Sequence, residues 1–252
     1  MGNELGNVMG NEQEILKQVE KVKKQTENAV LAEARKIRAE REKQRIEARL
    51  DKYRGSPLPR AIPFNEAKDL RECKRASDGE VKFNVVYADP PWKLEFSGSY
   101  NRKVENHYPT MELSEICALP VSEIVSDDAL LFLWATTTKL EEALIVMNAW
   151  GFKYRSSAVW VKPEIGMGYY FRMQHEFLLV GKRGNLPVPQ PANRPRSVHT
   201  ESRGAHSAKP HAYYEYIEQM YPGVPKIELF ARNTRDGWVS WGNQAPTESR
   251  CV

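Results

Sequence analysis

One short segment combines residues that could bind an amine, Asp89-Pro90-Pro91-Trp92. Each proline lacks a backbone N–H and restricts the backbone around it, so the segment forms a rigid, extended turn. The groups left to interact are acceptors, the Asp89 carboxylate and the Pro90 carbonyl. An exocyclic NH2 group on an aromatic ring has two N–H donors to offer to such a pair.

Hydrogen bonds to both acceptors would localise the lone pair of the amine nitrogen and direct it at an electrophile. Trp92 could then stack on the base that carries the amine, as aromatic side chains do with flipped bases. The same segment also suits a strand-ending turn with a tryptophan in the core, and these four residues alone favour neither interpretation.

The elements around this segment predict an α/β fold. Short apolar runs rich in β-branched and aromatic residues predict strands, and the first run ends directly before Asp89. Apolar positions at helical spacing predict helices over 138–151 and 211–221. Strands that alternate with helices favour a sheet with helices on both faces, in which ligands bind at the carboxyl ends of strands. The predicted strands are 83–88, 129–134, 158–161, 176–180, 226–230 and 239–241.

A long, charged helix is predicted at the amino terminus. Residues 12–54 contain no proline or glycine and consist largely of residues that favour helix. Ile15, Val19 and Val22 begin an apolar seam at heptad spacing, but charged residues take the next core positions, so a sustained coiled coil is not predicted. Its more basic second half suits either a solvated helix or an arm that contacts nucleic acid or a partner.

Composition divides the chain into three parts. Residues 1–54 are the predicted helical extension, and three prolines with a Gly-Ser pair in residues 55–63 end it. A linker with a lead-in segment is predicted over 55–82, and a globular domain over 83–252.

Composition also limits the class of protein. Of the 252 residues, 41% are hydrophobic, and the formal net charge of +4 permits an anionic partner without requiring one. The three cysteines lack metal-ligand spacing, so we expect free thiols and no metal site. No apolar run reaches the roughly 18 residues of a membrane span, and residues 1–11 do not resemble a secretory signal. We therefore expect a cytoplasmic protein, or a nuclear one in a eukaryote, that is neither secreted nor membrane-bound.

From residue 83 to residue 244 the sequence resembles the MT-A70 family of adenine methyltransferases. The resemblance rests on separate motifs that occur in the order and at the spacing of the family. They are 85–92, 107–111, 131–134, 160–162, 175–181, 207–210, 227–232 and 241–244.

The resemblance implies a Rossmann-like sheet in which the catalytic motif precedes the cofactor-binding motif, with S-adenosylmethionine as cofactor. It implies that Asp89, Pro90, Pro91 and Trp92 form the catalytic centre. The positions that match cofactor contacts are Asp89, Lys209, Phe230, Arg232, Asn233, Asn243 and Gln244, and those that match the target-base side are Tyr108, Lys162 and Glu176. One departure from the family, Ala231 in place of a glycine, lies between two of the cofactor positions.

Residues 181–208 form a long, proline-rich and basic segment. Loops of this length are usually functional or disordered, and flexible cations suit phosphate contacts. Arg194 and Arg196 are therefore candidates for substrate binding. The alternative is a disordered, solvated loop.

Together these features predict methyl transfer from S-adenosylmethionine to the exocyclic amine of adenine in nucleic acid. The compact chain resembles stand-alone microbial and phage members of the family, which favours DNA over RNA. The alternatives are an enzyme that acts on RNA, a non-catalytic nucleic-acid-binding subunit of a heteromeric methyltransferase, and an enzyme that methylates a protein glutamine or a free base. The amino-terminal helix leaves a homodimer or a partner subunit open.

Overall fold

The computed structural model describes residues 3–52, 54, 70–76, 79–80, 82–93, 110–168, 170–204 and 208–242. The predicted linker at 55–63 lies outside these residues. The chain divides into two compact units, Met1–Ala48 and Arg49–Val252. Within the described part of the chain, no helix is long and apolar enough to cross a membrane.

The described residues of the first unit belong to a single helix, α1, which spans Asn3–Asp51. The predicted amino-terminal helix is therefore confirmed, and it begins before residue 12. Val19 and Val22 of the predicted seam are 59% and 60% exposed. Ion pairs one turn apart, such as Glu33–Lys36 at 3.5 Å, lie on the surface, where each is worth about 0.5 kcal/mol at most.

The second unit contains a seven-stranded mixed sheet with the strand order β7-β5-β6-β4-β3-β8-β9. The strands β3, β4, β8 and β9 run parallel, β6 is antiparallel to both β4 and β5, and β7 is parallel to β5. The bounds are β3 Phe83–Ala88, β4 Val125–Thr136, β5 Lys153–Val161, β6 His175–Arg183, β7 Val198–Thr200, β8 Lys226–Leu229 and β9 Val239–Trp241. A separate antiparallel pair consists of β1 Arg75–Ala76 and β2 Gly79–Glu80.

Helices cover both faces of this sheet, which confirms the predicted α/β, Rossmann-like class. On one face the buried leucines and isoleucines of the central strands pack against α2 to α4. On the other face α5 packs its aromatic side chains against the sheet, with the Tyr213 ring 4.9 Å from that of Trp134. The helices are α2 Leu113–Ala118, α3 Val121–Ile124, α4 Leu140–Ala149 and α5 Ala212–Met220, with 3-10 turns at Leu70–Lys74, Thr137–Lys139 and Pro191–Asn193.

Most predicted elements are found, with differences that have local causes. The predicted strands 83–88 and 239–241 match β3 and β9. The predicted strand 226–230 ends one residue early, because Phe230 adopts a positive φ of 63° that no strand tolerates. The helix predicted over 138–151 ends at Ala149, and Gly151 with φ 83° reverses the chain after it.

The basic segment 181–208 is not one long loop. Its first residues complete β6, and its edge strand β7 pairs with β5. The His199 ring is held by the Tyr216 hydroxyl at 3.1 Å and by a Glu201 carboxylate oxygen at 2.7 Å. For the described residues of this segment, the alternative of a disordered loop is therefore wrong.

A carboxyl group is buried under α5. The Glu228 side chain accepts a hydrogen bond from the Tyr214 hydroxyl at 2.7 Å and is 9% exposed. Burial, with a smaller contribution from the nearby Asp89, raises the pKa of Glu228 from 4.5 to about 7. Because the folded-state pKa is the higher one, the folded protein binds the proton more tightly than the unfolded chain does.

The free energy of unfolding should therefore fall as the pH rises from about 4.5 to about 7, by on the order of 3 kcal/mol from this group. Glu228→Gln should remove this contribution and be more stable than the wild type at pH 8, because glutamine keeps an acceptor for Tyr214. Urea denaturation at pH 5 and pH 8 measures the difference. Glu215→Gln, on the exposed surface of α5, is the control. An unchanged pH dependence in Glu228→Gln would contradict the assignment.

Candidate active site

The Asp89–Trp92 segment leaves β3 as a tight turn tied into the sheet. The Trp92 N–H donates to the Pro90 carbonyl at 2.8 Å, and the Met111 N–H donates to the Pro91 carbonyl at 3.0 Å. A carbonyl oxygen has two lone pairs, so Pro90 retains one for a ligand. The turn therefore presents the Asp89 carboxylate at the carboxyl edge of β3, with the buried Pro90 next to it.

The Trp92 side chain is buried and helps to hold this turn in place. Its indole N–H donates to the Trp134 carbonyl at 3.1 Å, and the side chain is 7% exposed within the hydrophobic core. The prediction that Trp92 stacks on the target base does not fit this position, because too little of the ring is accessible. Instead the side chain anchors the turn to β4.

Strand register brings a chain of four charged side chains to this edge. Lys209 Nζ lies 2.8 Å from Asp89 Oδ2 and 3.4 Å from Glu176 Oε2. Glu176 in turn forms an ion pair with Lys162 through its other oxygen, Oε1. Glu176 pairs with Thr136 at the end of β4 and with Trp160 near the end of β5, so both strand ends meet the end of β3 here. The predicted Asp89, Lys162, Glu176 and Lys209 thus form one network.

Aromatic rings lie beneath both lysines. Lys162 Nζ is 4.4 Å from the centre of the Trp160 ring, and Lys209 Nζ is 5.5 Å from that of Trp134. Aromatic faces attract cations at these distances, which helps to offset the loss of water around the ammonium groups. The sequence shows both tryptophans at the ends of strands, but this role was not predicted for either.

The network shifts the acidities of its members. Burial raises the pKa of Asp89 despite the opposing charge of Lys209. Burial alone would lower the pKa of Lys209 and raise that of Glu176. The carboxylates of Asp89 and Glu176 nevertheless hold the pKa of Lys209 above its ordinary value, and Lys209 with Lys162 holds that of Glu176 below its ordinary value. The site therefore holds Asp89 as a basic carboxylate beside a firmly charged ammonium group.

A second turn follows β8 on the same side of the sheet. Phe230 takes a positive φ, and its ring packs 5.7 Å from that of Trp241. Arg232 is half-buried, and its charge opposes the rise in the pKa of Asp89, whereas Asn233 is exposed. After β9 the backbone of Gly242 comes so close to this turn that an added Cβ would lie 2.3 Å from the Ala231 carbonyl oxygen.

Gly242→Ala should force these two turns apart. We expect a loss of about 1–3 kcal/mol in the free energy of unfolding, as for other overpacked sites. Thermal melting measures the effect. Gly204→Ala is the matched control, because an added Cβ there meets its nearest atom at 3.9 Å. Equal melting temperatures for the two variants would contradict the close approach.

Not every predicted site residue lies in this network. Tyr108, Asn243 and Gln244 fall outside the described residues. Arg194 donates to the Pro189 carbonyl at 3.0 Å and faces Tyr221, which follows α5 near the start of β8. That is the edge of the sheet opposite Asp89, so Arg194 lies away from the charged network, and its role in substrate binding stays a prediction.

Two further residues near the site, Arg203 and Glu228, were not predicted individually from the sequence. Arg196 was predicted to bind substrate and lies exposed just before β7, whereas Arg203 lies beyond β7, on the side where β5 ends. Glu228 was counted only as a strand residue, although its charge contributes to the raised pKa of Tyr87 beside Asp89. An acid between Ile227 and Leu229 in a buried strand is the signal that could have identified it.

Most of the second unit is similar to known proteins. The MT-A70 family model matches residues 83–244. The type II methyltransferase M.MunI of a Mycoplasma species is 38% identical over 183 residues, which are 66% of this chain and 78% of that protein. The human N(6)-adenosine-methyltransferase catalytic subunit METTL3 is 34% identical over 176 residues, 65% of this chain and 28% of that protein.

An MT-A70-like N(6)-adenosine-methyltransferase of Drosophila melanogaster is 34% identical over 177 residues, 65% of this chain and 27% of that protein. The chain thus spans most of the bacterial relative and little more than a quarter of the two animal relatives. The resemblance seen in the sequence is confirmed, and the chain belongs to the MT-A70 family of adenine methyltransferases.

Proposed function

We propose that this chain transfers a methyl group from S-adenosylmethionine to the exocyclic amine of adenine in DNA, and that residues 83–252 form the catalytic domain. The observation that carries the proposal is the Asp89 carboxylate, held at the carboxyl edge of β3 by Lys209 and next to the Pro90 carbonyl. Two acceptors on a rigid turn match the two N–H donors of the adenine amine.

Asp89 would orient the amine and then take its proton. Lys209 binds Oδ2 of Asp89, and we assign the other oxygen, Oδ1, to one N–H of the amine, with the Pro90 carbonyl accepting the second. Such positioning by preorganised groups supplies most of the acceleration in transfers of this kind. The raised pKa of Asp89 suits a group that accepts the proton once the nitrogen has been methylated.

The described side chains fit the proposed cofactor. S-adenosylmethionine supplies the methyl group on a positively charged sulfur and also carries a carboxylate. Lys162, Lys209 and Arg232 are cations that suit this carboxylate, and the carboxylates of Asp89 and Glu176 suit the positively charged sulfur and the ammonium group of the cofactor. We assign the binding of the cofactor to the network and to the positions that match the family, which are Phe230, Arg232, Asn233, Asn243 and Gln244.

We favour DNA because of the share of each relative's length that this chain matches. The animal relatives, whose names specify adenosine, a ribonucleoside, match over little more than a quarter of their length. The bacterial type II methyltransferase matches over 78% of its length and at higher identity. We therefore favour DNA, with RNA as the alternative acceptor.

A panel of matched acceptors tests this choice. Labelled methyl transfer would be measured to one adenine-containing sequence as duplex DNA, single-stranded DNA and RNA, each with a version in which every adenine is replaced. We expect transfer to DNA that requires adenine. Transfer to RNA alone would refute the choice of DNA, and transfer to the adenine-free controls would refute the proposed acceptor.

A further inference from the structure

The loop between β5 and β6, residues 162–174, exposes large apolar side chains beside the site. Tyr170 is 95% exposed and Phe171 is 79% exposed, and Ile165 and Met167 are 62% and 72% exposed. Exposed apolar groups that cluster in this way usually mark a binding surface. The loop begins at Lys162 and ends two residues before Glu176. Both of these side chains belong to the charged network.

The 162–174 loop is braced from within. The Lys162 N–H donates to the Gln174 carbonyl at 2.6 Å, and the Gly166 N–H donates to the Met173 carbonyl at 2.8 Å. The Arg172 guanidinium donates to the Gly166 carbonyl at 2.7 Å. These bonds continue the β5–β6 pairing beyond the strands.

Glycines allow the loop to turn tightly at its tip. A Cβ on Gly168 would lie 1.9 Å from the Phe171 carbonyl oxygen, and a Cβ on Gly166 would lie 2.5 Å from the Met173 carbonyl oxygen. Only glycine permits backbones to approach so closely. The braced stem and the tight tip present the two aromatic rings to solvent, although burying them would be favourable.

Two arginines lie against the same loop at Gly166. Arg172 is part of the loop, and the guanidinium of Arg203 lies over Gly166. The backbone N–H of Arg203 also donates a hydrogen bond to a Glu164 carboxylate oxygen at 3.5 Å, which joins the segment after β7 to the loop. Aromatic rings bordered by arginines suit nucleic acid, because bases stack on the rings while the cations contact phosphates.

We propose that Tyr170 and Phe171 act as a wedge that enters duplex DNA next to the target adenine and occupies the place in the stack that the adenine leaves. This inference rests on the proposed function, since an adenine that reaches Asp89 must first leave the helix. Unstacking and unpairing a base is unfavourable, and inserted apolar side chains compensate for it in proteins that distort DNA. The wedge lies at the ends of the strands that carry Lys162 and Glu176, so it is placed beside the departing base.

The double variant Tyr170→Ala/Phe171→Ala tests the wedge. We expect kcat/KM to fall at least tenfold on duplex DNA, and less than about twofold on the same strand unpaired or with an abasic site opposite the adenine. In duplex DNA with 2-aminopurine at the target position, the wild type should raise the fluorescence and the variant should not. Tyr154→Ala is the matched control, because Tyr154 is also exposed but lies at the opposite end of β5.

Four results would overturn the wedge. Equal losses on paired and unpaired substrates would show a general binding role, and no loss on either would show that the rings do not contact DNA. A change in the molecular mass of the variant in solution would show that the loop binds a second copy of the chain. Wild-type activity on single-stranded DNA with none on duplex DNA would contradict the wedge but not the proposed function. No transfer to any DNA would contradict the proposed function itself.

Discussion

Asp89→Asn should eliminate nearly all methyl transfer while the protein stays folded. The asparagine side chain has the same shape, but Lys209 donates to one side-chain oxygen of residue 89, so the amide oxygen turns to Lys209 and the NH2 group to the substrate amine, which needs an acceptor. An amide also cannot take up the proton. The charge partner of Lys209 is also lost. We expect kcat to fall by about 10³-fold or more, in line with the loss of a preorganised catalytic group. Single-turnover transfer of labelled methyl measures the effect, with circular dichroism as the check on folding.

Asp127→Asn provides the matched control for this variant. The Asp127 side chain is 93% exposed and forms a surface ion pair with Arg183 at 3.4 Å. Surface pairs of this kind contribute little, so its activity should equal that of the wild type. A rate within tenfold of the wild type for Asp89→Asn would contradict the assigned role of Asp89.

Lys209→Met should lower the rate and change its dependence on pH. Lys209 opposes the effect of burial on Asp89, so its removal leaves that carboxyl with a still higher pKa. If the ionised carboxylate is the active form, activity is lost below its pKa, and the acid limb of the pH profile moves to higher pH. We expect kcat at neutral pH to fall about 10²-fold, with partial recovery at alkaline pH. Profiles of kcat/KM from pH 5 to pH 10 measure the shift.

Lys162→Met separates this effect from a general loss of charge. Lys162 contacts Glu176 and lies one step further from Asp89 along the network, so its removal should move the acid limb less than the removal of Lys209 does. Thermal melting shows whether both variants fold. A Lys209→Met enzyme that is slower by the same factor at every pH would contradict the proposed coupling between Lys209 and Asp89.

The fold was largely predictable because its strands are continuous apolar runs. The run that forms β3 ends directly before the motif, so Asp89 lies at the carboxyl end of a strand, where ligands bind in such sheets. The edge strand β7 was missed because Val198–Thr200 is short and exposed, without the apolar pattern of a buried strand. The end of β8 was misplaced because the strained backbone of Phe230 is imposed by its neighbours, Trp241 and Gly242.

The site was predictable as a set of positions but not as an arrangement. The resemblance indicated Lys162, Glu176 and Lys209, whereas their connection into one ion-paired network depends on the register of β5 and β6, which sequence does not specify. The burial of Trp92 likewise depends on a carbonyl of Trp134, a residue far along the chain. The 162–174 loop was not recognised in the sequence, although its glycines at 166 and 168, followed by aromatic residues, are a local signal.

We propose above all that the turn at Asp89 directs methylation to the exocyclic amine of adenine. The most direct test is to treat adenine-containing DNA with the enzyme and S-adenosylmethionine, digest it to nucleosides and locate the methyl group by mass spectrometry against synthetic standards. The predicted product is N6-methyldeoxyadenosine, formed by the wild type and absent with Asp89→Asn. Methylation at a ring nitrogen of adenine or on another base, or N6-methylation that persists in Asp89→Asn, would contradict the account.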